Sequence, residues 1–276
     1  MQKVDRLGWA VGFSLKSYGV RIGIRCNEPQ GLDQVRPFLP HQHEVVDLAV
    51  VDRLYSIIIG GQGPNANVRR FNLLYADQSR IVRSKNLADV FERLESDLRL
   101  YVAEVARHRV FVHAGVVGWK GRAIVIPGRS YSGKSKMVSE LVKAGADYYS
   151  DEYAVLDSRG MVHPFSKPLE MRDSGESKQT KVEVGQFGGK IATKPIPVGL
   201  VMVTEYKAGA HWRPRLLSGG QAVLALLANT VSARRQPEKA LGTLQRAVSA
   251  APALKGIRGE AEGLAISVLA RMEKNT

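Results

Sequence analysis

The sequence predicts a mixed α/β protein in two parts, a smaller β-rich N-terminal module over residues 1–106 and a larger α/β domain over 107–276. Three observations predict it. Short apolar runs with period-two alternation occupy the early part of the chain, and a long amphipathic stripe follows from Asn86. Beyond Val110, apolar strands alternate with helical patterns, and a glycine-rich loop joins one such strand to the next helix.

In Gly19-Val20-Arg21-Ile22-Gly23-Ile24-Arg25 the apolar side chains fall on alternate positions, which predicts a half-buried strand. Leu54–Ile59 and Arg70–Tyr75 read as further strands, with turn material in Gly60-Gly61-Gln62-Gly63-Pro64-Asn65 between them. Asn86 reads as the cap of a helix whose apolar stripe is Leu87, Val90, Phe91, Leu94, Leu98, Tyr101, Val102 and Val105. Val110–Val117 and Ala123–Ile126 are then apolar strands, separated by Gly118-Trp119-Lys120-Gly121. Lys134–Ala144 reads as a helix stopped by Gly145, and Tyr153–Leu156 as a strand. Residues 173–190 are polar and glycine-rich without a period, which predicts a mobile loop. Gly199–Thr204 is a buried strand, and helices around Gln221–Val231, Pro237–Ala250 and Ala261–Met272 close the chain.

Composition narrows the function classes. The chain has 276 residues, 44% of them apolar and 24% charged, which suits a folded protein with a substantial core. A single cysteine, Cys26, excludes an intrachain disulfide and a cysteine-built zinc site. No run approaches the roughly 20 apolar residues of a membrane span, and Met1–Arg6 has no secretory apolar run, so a cytoplasmic location without a membrane partner is expected. The net charge is +14; residues 1–118 hold 16 basic and 12 acidic side chains, and residues 119–276 hold 24 and 14. The basic residues form no block interleaved with aromatics, and Arg69-Arg70 and Arg234-Arg235 are only pairs. The excess therefore points to an anionic ligand such as ATP rather than to nucleic acid. His41 and His43 share a loop and the remaining histidines are isolated, without metal-ligand spacing.

The strongest chemical signal is Gly128-Arg129-Ser130-Tyr131-Ser132-Gly133-Lys134-Ser135, which matches G-x-x-x-x-G-K-[ST] directly after a strand and at the start of a helix. Glycines let the backbone wrap phosphate, and the consecutive N–H groups and positive helix end then face the anion. Lys134 is expected to reach the outer phosphates of ATP, the Ser135 hydroxyl to bind Mg2+, and Lys136 to add positive charge. Phosphoryl transfer also needs a carboxylate near the metal or the attacking hydroxyl. Ser150-Asp151-Glu152 offers one: a strand returning beside the strand of the glycine-rich loop would bring Asp151 to Ser135, with Glu152 a second acid for the metal. Neighbours on an extended chain point oppositely, so the two acids are not expected to share one task. His113 lies in the preceding strand. Arg172 and Arg258 are further cations that could neutralise phosphate.

Taken together, Phe111-Val112-His113-Ala114-Gly115, Ile126-Pro127-Gly128 through Gly133-Lys134-Ser135, Gly145-Ala146 through Ser150-Asp151-Glu152, and Pro164-Phe165-Ser166-Lys167-Pro168-Leu169 resemble the HPr kinase/phosphorylase-like family. The likeness covers roughly residues 108–172 and is weaker around Arg258-Gly259-Glu260. It implies a P-loop kinase domain of the HPr kinase and phosphoenolpyruvate carboxykinase type. It also implies that the aspartate matching Asp151 accepts a proton and helps the metal, with the histidine matching His113 in support. The chain departs from the family at Tyr131, where glycine is usual, and at Glu152, where a second aspartate is common. The glycine-rich signature of HPr kinases is not recognisable in Arg172–Gly189. The resemblance therefore implies an HPr-kinase-related kinase whose acceptor is not HPr.

The expected function is ATP- and Mg2+-dependent transfer of the γ-phosphate to a hydroxyl, with a serine of a peptide or protein, or a small-molecule alcohol, as acceptor. Two other readings stay open: a nucleotide-binding regulatory or scaffold protein without catalysis, and a nucleic-acid-dependent ATPase. The acceptor, the role of the N-terminal module and assembly as a homo-oligomer are not specified by the sequence.

Overall fold

Period-two patterning and turn glycines build the first half of the chain. The computed structural model describes residues 3–40, 42–61, 71–128, 132–165, 167–171 and 180–274. Strands β1 (Val11–Ser17) and β2 (Val20–Cys26) form a hairpin around Tyr18 and Gly19, both at positive φ. The connection then runs through α1 (Pro29–Val35), β3 (His43–Val45), β4 (Arg53–Ile58), β5 (Asn72–Ala76), β6 (Ser79–Ser84) and α2 (Leu87–Val105). The strands lie in the order β3-β1-β2-β4-β5-β6, with β2 and β4 parallel and the other pairs antiparallel. Helix α2 begins as its sequence predicts: Asn86 Oδ1 accepts from Ala88 N at 3.1 Å. Its apolar stripe packs Val90, Phe91, Leu94, Leu98 and Val102 with Ile22, Ile24, Tyr55, Ile57 and Leu74 of the sheet. Strands β1 and β6 were not expected: β1 alternates Val11, Phe13 and Leu15 with Gly12, Ser14 and Lys16, the same signal that marks β2, and was overlooked, whereas β6 has no buried residue.

The chain divides into compact units at Met1–His108 and Arg109–Thr276. The second unit opens with β7 (Val110–Trp119) and β8 (Arg122–Pro127), a hairpin turning at Lys120 (φ 48°) and Gly121 (φ 75°). Two consecutive residues at positive φ match the right-handed twist of the strands. Gly118 and Trp119, expected in the turn, are ladder residues instead. After α3 (Lys134–Lys143) come β9 (Asp147–Ser150), β10 (Tyr153–Leu156), β11 (Met161–His163), β12 (Leu169–Met171) and β13 (Thr180–Val182). The chain ends with β14 (Ile196–Tyr206), β15 (Arg215–Leu217), α4 (Gly219–Leu227), α5 (Pro237–Val248), β16 (Ala253–Arg258) and α6 (Ala261–Lys274).

The main sheet runs β11-β10-β7-β8-β14-β16-β15, with β9 also on β7. Strands β8, β14 and β16 are parallel, the arrangement that places helix N-termini at one sheet end. One face of the sheet packs Val112, Val116, Val125, Val201 and Ala253 against α4 and α5; the other packs Ile124, Ile126, Met202 and Leu254 against α3 and α6. Gly145, at φ 102°, ends α3: its N–H and that of Ala146 reach back to Val142 O and Leu141 O.

Of the expected loop 173–190, residues 173–179 lie outside the described residues. The remainder holds β13, paired with β12, and a 3-10 turn over Val184–Phe187, so cross-strand pairing supplies order that the composition did not signal. His41, Gln62-Gly63-Pro64-Asn65, Arg69-Arg70, Arg129, Ser130, Tyr131, Ser166 and Arg172 also lie outside the described residues. Among the described residues, no helix is long and apolar enough to cross a membrane.

Candidate functional site

The glycine-rich loop begins where β8 ends and closes at the start of α3. Gly128 N donates to His113 O at 3.1 Å, tying the loop's first residue to β7. A Cβ on Gly128 would stand 2.6 Å from Ser132 Oγ and 3.3 Å from Ser132 Cβ, so the loop's two ends lie close together and a larger residue there would have to turn the Ser132 hydroxyl aside. Gly133 caps α3 at φ 79°, a left-handed conformation that glycine adopts without steric cost. The Ser132 hydroxyl is shielded from solvent and has no hydrogen-bond partner among the described residues. β7 supports the helix closely: a Cβ on Gly115 would come within 2.5 Å of Val138 Cγ2.

The acid pair reaches this loop by a route the sequence did not specify. Asp151 was expected on a strand beside the strand of the loop, which is β8. Instead β9 and β10 both pair with β7, on its edge away from β8. The ladder shifts register at Val116, and Ser150 Oγ accepts from Glu152 N (3.1 Å) and Tyr153 N (3.0 Å), folding the chain sharply between β9 and β10. Asp151, expelled from regular pairing, turns toward the helix: Ser135 Oγ donates to its Oδ2 at 3.2 Å, and Asp151 is only 6% exposed.

Asp151 Oδ1 lies 3.1 Å from the Tyr148 hydroxyl, which is also 3.0 Å from Lys167 O. Burial first, and then the charge of Asp151, push the Tyr148 hydroxyl far above the usual phenol range, so it stays protonated. Glu152 has a different partner, Lys167 Nζ at 2.9 Å from its Oε2. The acids are thus held separately, because they lie in the bend between β9 and β10 and each meets a different partner. Lys134, at the first position of α3, is half-buried. Burial lowers its pKa, and the charges of Asp151 and Glu152 oppose that shift, which puts all three in one electrostatic neighbourhood.

His113 faces Tyr153 across the β7–β10 ladder, the rings 4.8 Å apart and tilted by 36°. Lys136 Nζ is drawn to Glu140 Oε1 of its own helix at 3.0 Å. Arg258, at the end of β16, is buried against the loop: its Nη2 donates to Gly133 O and its Nη1 to Gly259 O, both at 3.0 Å, while its Nε has no partner among the described residues. Sequence reasoning missed Tyr148 and Lys167, and no local signal separates Tyr148 from Tyr149. The neighbours point to opposite faces, and the Tyr149 hydroxyl donates to Lys194 O at 2.7 Å.

The donor set suits a hard cation. Ser135 and Asp151 offer oxygen ligands, as Mg2+ prefers, and an ion held by one or two protein oxygens takes its remaining ligands from phosphate and water. Among the described residues, no group of three or more histidine, cysteine or acidic side chains is placed to hold a metal by itself.

No protein-family model matches the chain, and no curated protein matches it. Among solved structures it is similar to the HPr(Ser) kinase/phosphatase of Coxiella burnetii, at 13% identity over 60% of this chain and 99% of that one, with a TM-score of 0.35. A likeness that distant assigns no role to any residue here.

Proposed function

We propose that the unit Arg109–Thr276 is an ATP- and Mg2+-dependent kinase that transfers a phosphoryl group to a hydroxyl acceptor. The observation that carries the reading is the 3.2 Å approach of Asp151 to Ser135 at the N-terminus of a ten-residue helix, directly after a loop that starts at Gly128 and ends at Gly133 in the left-handed conformation. The first N–H groups of α3 have no partner within the helix and face the phosphates with the positive helix end. Lys134 supplies a full positive charge beside the outer phosphates. Ser135 and Asp151 hold Mg2+, which neutralises charge on the transferring group when bound. The Asp151 carboxylate orients the acceptor hydroxyl and takes its proton as the new oxygen–phosphorus bond forms and the bond to the ADP oxygen breaks. His113 fixes the loop through its carbonyl and faces Tyr153, the residue after the acid pair. The basic excess of residues 119–276 favours an acidic acceptor, with a peptide or protein serine preferred over a small alcohol.

The test is to incubate the chain with γ-labelled ATP and lysate of its own cells and identify what becomes labelled. Label on a hydroxyl, lost with Lys134→Ala, supports the reading. Tight ATP binding with no transfer to any hydroxyl would instead make this a nucleotide-binding regulatory protein.

A further inference from the structure

We infer that the Tyr148 hydroxyl is a positioning group that turns Asp151 so that its Oδ2 faces the start of α3. The inference rests on the kinase reading above and concerns how this chain orients the acid that the reading requires.

Asp151 lies where β9 breaks from the ladder, and the outer torsion of an aspartate is broad and roughly two-fold. The backbone alone therefore does not fix which oxygen points where. Tyr148 is anchored far more firmly. It is fully buried, pairs with Val117 on β7, donates from its N–H to Lys190 O at 2.7 Å and accepts at its carbonyl from Ala192 N at 2.9 Å. From that fixed base its hydroxyl meets Asp151 Oδ1 at 3.1 Å, leaving Oδ2 toward Ser135.

The phenol has one proton and two acceptors in reach, Asp151 Oδ1 and Lys167 O. A bond to an ionised carboxylate is stronger than one to a neutral carbonyl, so the Tyr148 O–H donates to Asp151 Oδ1. Lys167 completes the arrangement: its ammonium holds Glu152, so the second acid is engaged elsewhere while Asp151 faces Ser135.

Tyr149 provides an internal control. It is the adjacent residue on the same strand, it too is buried, and its hydroxyl donates to the Lys194 carbonyl rather than to a carboxylate. Tyr148→Phe and Tyr149→Phe in the 276-residue chain are compared by thermal unfolding, nucleotide affinity without metal, Mn2+ affinity of the ADP complex by electron paramagnetic resonance, and kcat and KM for transfer. The expected result is that both variants fold and bind metal-free ADP within about twofold of wild type. Tyr148→Phe alone weakens Mn2+ binding severalfold and lowers kcat by about 10- to 100-fold with little change in the KM for ATP, the range seen when a residue behind a metal ligand is removed. Unchanged Mn2+ affinity and kcat in Tyr148→Phe, or equal losses in both variants, would overturn the inference. A wild-type chain that binds Mn2+·ADP but transfers no phosphate defeats only the kinase reading, because the Mn2+ comparison still decides the role of Tyr148. A wild type that binds neither nucleotide nor Mn2+ defeats both.

Discussion

Replacing Gly133 by alanine tests the architecture of the loop quantitatively. Gly133 sits at φ 79°, and an alanine Cβ there would stand 2.6 Å from Arg258 Nη2. Holding one alanine in the left-handed region costs about 1 kcal/mol more than holding glycine. Arg258 is 2% exposed and bonded to two carbonyls, so it can retreat only by breaking its bond to Gly133 O. Losing a bond from a charged donor costs about 1.5–3 kcal/mol, so the expected total is about 2.5–4 kcal/mol. The assay is urea unfolding followed by tryptophan fluorescence, to which Trp119 and Trp212 of the second unit contribute. A double-mutant cycle with Arg258→Ala separates the two contributions. In that background Gly133→Ala should cost only the backbone part, leaving a coupling of about 1.5–3 kcal/mol. Additivity within about 0.5 kcal/mol would refute the claim that the guanidinium braces the loop.

Other consequences follow from the same geometry. Lys134→Ala should abolish nucleotide binding or turnover, read by calorimetry with ATP; retention of both would remove the loop from the mechanism. Asp151→Asn should keep ATP binding and lose about two to three orders of magnitude in transfer rate, since the amide can accept neither the metal nor a proton as the carboxylate does. Full activity would exclude Asp151 from catalysis. Acid stability should carry a signature of Asp157. Burial alone would raise its pKa, but hydrogen bonds from His163 and from the N–H groups of Met161 and Arg159 outweigh burial and lower it from 3.8 to about 2. The folded value is the depressed one, so the stabilisation is fully present above pH 3.8 and is lost as pH falls through about 2. It amounts to about 2 kcal/mol, and Asp157→Asn should flatten the stability–pH curve in that window.

Much of the local structure was legible in the residues. The Asn86 cap, the stripe of α2, the helix opening at Lys134 and its stop at Gly145 depend on neighbours within a turn or two, and the structure shows each of them. Short strands without clean alternation were not legible, and β16 is the instructive case. Lys255, Gly256 and Ile257 mask its pattern, yet parallel pairing with β14 makes it a strand and delivers Arg258 to Gly133. Within the site, the proximity of Ser135 and Asp151 was anticipated, whereas the strand that carries the acid to it was misplaced by one position in the sheet.

The order of glycines, lysine and serine in residues 128–135, the helix that begins there and the presence of an acid pair at 151–152 were set by the sequence alone, because turn chemistry, capping and motif spacing act over a few bonds. The pairing of β9 and β10 with β7, the separate partners of Asp151 and Glu152, and the contacts of Tyr148, Lys167 and Arg258 with the site were decided only by the tertiary fold. Those contacts join residues as far as 125 positions apart or, as for Tyr148 and Asp151, depend on which face of a strand is buried, and nothing in the local pattern encodes either until the sheet has assembled.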